Sequence, residues 1–359
     1  MDKLIYDRIQ EVLDAPSCYP EQERKSRDAR KKELTAWYEK YNEVHVCYNL
    51  YGCDRVCSAP ADEWLDRGLF RKQRHDVNGK YYPFGSKFPY DYTLFMRDKL
   101  AFEMLMRSAF GDEGRFIKSY GLLMDRQFYR FCSDGGRCAI TPEELVRTFD
   151  GQRVVFKNTF GFGGSDIVIV NFRGEHIIYK DREYSINEMM DLLCENNSYW
   201  LIQNFIKQHP FMSGLNDTSV NTMRVLTYNT GSRVVLGKTV LRFGRPGSPV
   251  DNCDMGGLFT GVDEKGTIGG SMFSYVEKKR FSCPFAGKTI PYFSEAMELA
   301  VEAHKCVPQL FTIGWDVVVT PDGPLLLEGN DGWDPYLSQA PEGFAQRKIW
   351  DALLEERNR

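Results

Sequence analysis

The pattern of apolar and polar positions changes character along this chain, from charged and aperiodic at its start to short strand-like and helix-like blocks after about residue 90. Two apolar runs, Val317 to Val319 and Leu325 to Leu327, flank Pro321-Asp-Gly-Pro324, and that punctuation predicts a β-hairpin. A turn centred on Asp322 sets Asp316 opposite Glu328, and strand alternation puts Asn330 on the same face as Glu328. Further strands are expected over Arg153–Lys157, Ile167–Asn171, His176–Tyr179, Trp200–Phe205, Thr222–Tyr228 and Arg233–Leu241, the last two joined by an Asn229-Thr-Gly231 turn. Helical periods cover Thr93–Phe110, with an apolar face through Leu94, Leu100 and Leu105 and a stop at Gly111–Gly114. Others run over Ile186–Asn196, Ser294–Cys306 and Pro341–Glu356. Strands and helices segregate more than they alternate, which makes the fold class α+β.

Residues 1–45 are polar and charged, with a run from Glu21 to Lys40 that reads as solvent-facing helix. Residues 46–92 mix Tyr, Gly, Cys and Pro without a period and read as loop-rich. Three parts are therefore expected: a helical or irregular region 1–92, a unit 93–210 and a unit 211–359, a division that 359 residues accommodate.

Composition narrows the function. Hydrophobic and charged contents of 42% and 27% are those of a soluble globular chain. A formal net charge of −4 speaks against a general nucleic-acid binder. No apolar run approaches a membrane span, and Met1 to Asp7 lacks the apolar core of a signal peptide. Cys47, Cys53 and Cys57 have neither zinc-ribbon nor redox spacing. A cytoplasmic protein with reduced cysteines is expected.

Several segments carry candidate chemistry. Asp316, Glu328 and Asn330 converge three oxygen-bearing side chains at the open end of the hairpin, the ligand type that Mg²⁺ takes. Charged strand ends are also common, and the hairpin alone leaves both readings open. In Val154-Val-Phe-Lys157-Asn-Thr-Phe-Gly161-Phe-Gly163-Gly164-Ser165 a strand ends in a lysine and a glycine-rich loop follows. Such glycines let backbone N–H groups approach phosphate oxygens, with Lys157 as a point charge. It is neither a P-loop nor a Rossmann turn, since no helix follows. Arg224 alternates with Val225 on a strand and is placed to stabilise a transferring phosphoryl group, or else to face solvent. Lys99 sits on a helix, and Trp200 to Ile206 is a strand whose edge suits an adenine or another strand equally.

Taken in chain order, these signals resemble the ATP-grasp superfamily over residues 93–335. More narrowly, Asn221-Thr-x-Arg224-Val, Met255-Gly-Gly257 and Leu327-Glu-Gly-Asn330 are similar to its sugar-transfer-associated branch. That branch is related to glutamate-ligase-like enzymes and is often associated with surface-polysaccharide synthesis. The resemblance implies two α+β subdomains gripping ATP. It implies phosphate contacts from Lys99 and Lys157, and a lid from Gly161, Gly163, Gly164 and Ser165. Gln203 and the backbone near Phe205 would meet the adenine, Arg224 the reacting phosphate, and Asp316, Glu328 and Asn330 the Mg²⁺. The expected reaction activates a carboxylate as an acyl-phosphate for attack by an amine, both small molecules. The alternatives are an ATP-dependent phosphotransferase acting on a sugar or other small molecule, or a nucleotide-binding partner of a glycosyltransferase. The glycine- and proline-rich segment from Leu241 to Gly257 is expected to line the acceptor pocket through Arg242, Arg245, Asn252, Gly256 and Gly257. Two departures from the family pattern stand out: Gln203 replaces the usual hinge Glu, and Asp331-Gly-Trp-Asp-Pro335 replaces a Ser-Pro-Gly loop.

Overall fold

Two antiparallel sheets face one another across a cleft, and a helical N-terminal region closes one end. The structure is a computed structural model that describes residues 3–78, 80–81, 90–111, 115–132, 136–161, 167–195, 199–341, 343 and 345–359.

The N-terminal region contains α1 (Lys3–Asp14), α2 (Arg27–Tyr41), α3 (Arg67–Val77) and a short pair, β1 (Lys80–Tyr81) with β2 (Tyr90–Asp91). The charged run does not begin a helix at Glu21, because Ser26 accepts the Ala29 N–H and caps α2 there. Nor is α2 purely solvent-facing, since Arg30, Leu34 and Trp37 are buried. The segment expected to be loop-rich is a core: Tyr48, Leu50, Tyr51, Cys53 and Trp64 are all buried, although most of it has no regular structure. They pack in one cluster with Phe259, Phe273 and Tyr336 from the C-terminal part.

The helix expected over Thr93–Phe110 is two helices, α4 (Leu94–Arg97) and α5 (Lys99–Phe110). Asp98 breaks it: its backbone is extended, and its carboxylate accepts the N–H groups of Leu100 and Ala101 as the N-cap of α5. The buried face is Phe102, Glu103 and Met106, while Leu94 is exposed.

The first sheet holds β3 (Ser119–Met124), β4 (Gln127–Phe131), β5 (Arg137–Ile140), β6 (Arg153–Asn158), β7 (Ile167–Arg173), β8 (His176–Tyr179), β9 (Arg182–Tyr184) and β10 (Trp200–Asn204). Its strand order is β5-β4-β3-β10-β6-β7-β8-β9. Helices α6 (Pro142–Phe149) and α7 (Ile186–Cys194) bury Leu145, Phe149, Met189 and Leu193 with Val154, Phe156 and Ile202 of its strands. A reciprocal Ser185–Glu188 capping box starts α7.

After the short α8 (Pro210–Ser213), the second sheet is built from β11 (Thr222–Asn229), β12 (Val234–Phe243), β13 (Leu258–Val262), β14 (Ile268–Ser274), β15 (Lys279–Ser282), β16 (Thr312–Thr320) and β17 (Gly323–Asn330). Their order is β15-β14-β13-β12-β11-β16-β17. The three strands from Leu258 to Ser282 escape the hydrophobic pattern. Alternation divides this sheet. Met223, Val225, Val317 and Val319 enter the core with α9 (Phe293–Lys305), and Thr222, Arg224 and Asp316 on the other face line the cleft. The chain between α5 and β3 adds to β17, where Leu326 bonds Arg115 and Ile117 through its backbone. The C-terminal helix expected from Pro341 is α11 (Arg347–Arg357), preceded by a separate α10 (Pro335–Gln339). No helix among the described residues is long and apolar enough to cross a membrane.

Candidate active site

The register of the second sheet assembles the polar face of the cleft. Thr222 lies opposite Arg242, Arg224 opposite Asp316, and Asp316 opposite Glu328. Two adjacent rows, Arg242–Thr222 across β12 and β11 and Arg224–Asp316–Glu328 across β11, β16 and β17, thus bring charged and polar residues together. The hairpin reaches this pairing by two compensating steps. Thr320 pairs with Gly323 around a two-residue Pro321-Asp322 turn, which alone would set Asp316 against Leu327. A bulge between Asp316 and Val317 absorbs Leu327 and brings Glu328 into place.

Asp316 is 1% exposed and accepts from two guanidiniums. Arg224 donates through Nε at 2.5 Å and Nη2 at 3.1 Å, and Arg242 through Nη2 at 2.9 Å. Arg242 also donates to Thr222 Oγ1, which itself donates to Asp251 Oδ2 at 2.5 Å. Burial opposes the charge of Arg242, but Asp251 and Asp316 outweigh it and hold the guanidinium protonated. Burial also raises the Asp251 carboxyl above its usual range, and the attraction of Arg242 only partly offsets it. Gly314 makes room for this arrangement: a Cβ there would meet Trp333 Cβ at 2.6 Å and Arg224 Cδ at 2.9 Å.

From the opposite sheet, Lys157 reaches across the cleft to Glu328, with Nζ 2.9 Å from Oε2. Burial pushes the Glu328 carboxyl up, yet Lys157 and Lys99 overcome it and hold the group well below the usual carboxylate range. Lys99 is the first residue of α5, not a mid-helix position, and its Nζ donates to the Gly161 carbonyl. Lysines on separate elements therefore converge beside one carboxylate.

Asn330 Nδ2 lies 3.4 Å from Asp316 Oδ2 and 3.4 Å from Glu328 Oε1. Turning the amide over presents Oδ1 to the same two oxygens. The three side chains then offer oxygen donors of the type a hard divalent cation takes, although both Asp316 oxygens already accept from guanidiniums.

The cleft holds about 530 Å³. Val155, Ile167, Ile169 and Leu327 give it apolar walls, and Gln203 and Phe205 also line it. Gln203 donates to Ser119 Oγ at 3.1 Å, and Ser119 is in turn held by buried Glu103. The Phe205 N–H is taken by the Arg153 carbonyl, and the Arg153 guanidinium lies over the Phe205 ring. Cys253 also lines the cleft, with its thiol pushed up to about 12 by burial, which makes it a poor nucleophile.

The acceptor expectations divide. Arg242 and Asn252 line the cleft. Asn252 uses its side chain to cap the Cys253–Met255 turn. Arg245 does not reach the cleft; it donates to the Gly256 carbonyl and to Glu277. Gly256 and Gly257 serve the backbone instead: Gly256 has φ +95°, and a Cβ on Gly257 would stand 2.2 Å from the Asp251 carbonyl. Gly163, Gly164 and Ser165 lie outside the described residues. Residues that sequence reasoning missed also line the cleft: Arg71, Arg74, Arg97, Asp331, Asp334 and Tyr336. A signal existed, since Arg67, Arg71 and Arg74 recur at helical spacing, i, i+4 and i+7.

Two sheets closing on a cationic cleft, with paired carboxylates on a terminal hairpin, define an ATP-grasp arrangement. The chain belongs to the family described as sugar-transfer associated ATP-grasp, whose model matches residues 113–349. No curated protein matches the sequence. Among solved structures, D-alanyl-alanine synthetase A from Vibrio cholerae is similar, with a TM-score of 0.46 and 10% identity over 81% of this chain and 71% of that one. N5-carboxyaminoimidazole synthase from Aspergillus clavatus gives 0.40 and 12% over 82% and 58%. VanG D-Ala:D-Ser ligase from Enterococcus faecalis gives 0.43 and 14% over 73% and 61%. This chain thus spans less than two thirds of the length of the latter two. At such scores the family match carries the assignment.

Proposed function

We propose that this chain is an ATP- and Mg²⁺-dependent ligase that joins a small-molecule carboxylate to an amine. The observation that carries this reading is the facing of Lys157 and Lys99 on Glu328, beside Asp316, Asn330 and Arg224, inside one cleft. Mg²⁺ held by Asp316, Glu328 and Asn330 would neutralise charge on the bound triphosphate. Lys99 and Lys157 supply positive charge for the phosphates, and Arg224 does so for the group in transfer. Gln203 and the segment around Phe205 border the adenine. Met96, Val155, Ile167 and Leu327 form apolar walls that would limit loss of a reactive intermediate to water.

In this scheme a carboxylate oxygen attacks the γ-phosphorus, the bond to the β-phosphate oxygen breaks, and ADP leaves. The amine nitrogen then attacks the acyl carbon and loses a proton, and phosphate departs with the C–O electron pair. No protein nucleophile is required. The family's name is the only pointer toward sugar or polysaccharide chemistry.

The test is phosphate release from ATP, screened with amino acids and uronic acids as carboxylates and with a panel of amines. ADP formation that requires both partners supports the ligase. A stable phosphorylated sugar as product replaces it with the phosphotransferase.

A further inference from the structure

One end of the cleft is lined by α3, and one of its arginines lacks a counter-charge among the described residues. Among the described residues, the other arginines lining the cleft each have a carboxylate partner. Arg224 and Arg242 share Asp316, Arg97 holds Asp331 at 2.6 Å, and Arg71 touches Asp334 at 3.4 Å. Asp334 is already gripped by Arg67 through two bonds of 2.7 and 3.1 Å, so Arg71 has only a shared claim on it and stays half exposed. The Arg74 side chain has no ion pair or hydrogen bond among the described residues, and its Nε is shielded from solvent without a partner. Its guanidinium lies over Gly332, where a Cβ would come within 2.0 Å of Nη1.

A shielded guanidinium donor without an acceptor costs free energy, and an anion bound in the cleft would supply the acceptor. Two arginines one helical turn apart, with planar donor forks, suit a carboxylate or phosphate. α3 is held firmly enough to aim them. Buried Asp66 caps its N-terminus, and Gln339 clasps the backbone of Leu65 from α10.

We infer that Arg74, with Arg71, forms an anion subsite that recognises a second negative group on the acceptor substrate, away from the carboxylate that reacts. The substrate class is therefore dianionic: a dicarboxylate, or a carboxylate that also carries a phosphate. The substrate assignment rests on the proposed ligase reading, whereas the anion subsite itself does not.

The test uses two matched pairs on the full chain, glutarate against butyrate and 3-phosphoglycerate against glycerate, by calorimetry without ATP and by phosphate release with ATP. Glutarate or 3-phosphoglycerate is expected to bind at least tenfold more tightly than its monoanionic counterpart. Arg74→Gln should erase about tenfold to a hundredfold of that preference. Gly332→Ala, which displaces the guanidinium but keeps the charge, should do the same, and Arg74→Lys should restore part of it. Lys72→Gln, on the same helix but paired with Glu43, should leave the preference intact. Whichever of the two dianions binds distinguishes carboxylate from phosphate. If no probe binds differently to wild type and Arg74→Gln, the subsite is refuted. With Mg²⁺ and the amine panel added to the ATP assay, Arg74-dependent binding without any turnover leaves the subsite standing and refutes the ligase instead.

Discussion

Glu328→Gln separates chemistry from stability better than any other single change. It replaces one carboxylate oxygen by an amide nitrogen at nearly constant volume. The substitution removes the charge-assisted hydrogen bond that Lys157 donates at 2.9 Å. Bonds of that kind contribute about 1.5–3 kcal/mol, and the 27% exposure of the Glu328 side chain argues for the lower part of the range, about 1.5–2 kcal/mol. From the per-residue unfolding entropy, a chain of this size loses about 1–2 °C per kcal/mol, so Tm should fall by only about 1–4 °C. Turnover faces a larger loss. Lys157 and Lys99 no longer have their counter-charge, and the hairpin offers one carboxylate where two converged. A drop of about 10²–10³ in kcat is expected, the scale of losing one preorganised electrostatic group. The assay is phosphate release at saturating ATP and Mg²⁺, beside a thermal melt. Turnover within tenfold of wild type would refute the assignment of Glu328 to the reacting end. A fall in Tm large enough to account for the lost activity would refute the separation.

Other perturbations test the surroundings of the cleft. Asp316→Asn leaves Arg224 and Arg242 buried beside a neutral amide and should cost about 3–5 kcal/mol, seen as a lower denaturant midpoint. Asp98→Ala removes the cap of α5 and should cost about 0.5–2 kcal/mol, while raising KM for ATP because Lys99 is the first residue of that helix. His304, buried against Thr227 and the Leu310 carbonyl, has its pKa lowered from 6.5 to about 4 by burial. A base depressed in the fold gives stability that is complete above pH 6.5 and lost as pH falls toward 4, about 3 kcal/mol in all. His304→Gln should flatten that stretch of the stability profile, as measured by urea unfolding at each pH.

What the sequence disclosed follows from how local each signal is. The hairpin's Asp316–Glu328 pairing was readable because apolar runs and a turn motif fix it within seventeen residues, although the turn is tighter and a bulge at Leu327 restores the register. Strand alternation likewise set Arg224 on the face opposite Val225, which enters the core. The break at Asp98 was harder, because an N-cap inside a helical period shows only as one more polar residue. Residues 46–78 were opaque for a different reason. Their aromatic core is completed by Phe259, Phe273 and Tyr336, two hundred residues away, so no local period betrays it. The same long-range packing hid Arg71 and Arg74, whose helical spacing was legible but whose cleft is formed by distant elements. Arg245 misled because an arginine in a glycine-rich loop near the site finds a partner in Glu277 on the surface. The strands from Leu258 to Ser282 carry Gly261, Gly269 and Gly270, which dilute a strand pattern.

The central claim is that a substrate carboxylate is activated at the γ-phosphate between Lys157, Arg224 and the hairpin carboxylates. Supplying a turned-over carboxylate labelled with ¹⁸O, with ATP, Mg²⁺ and the amine, tests it by mass spectrometry of the released phosphate. The account predicts that one labelled oxygen appears in the phosphate for each amide formed. Phosphate that carries no label while product accumulates would contradict it.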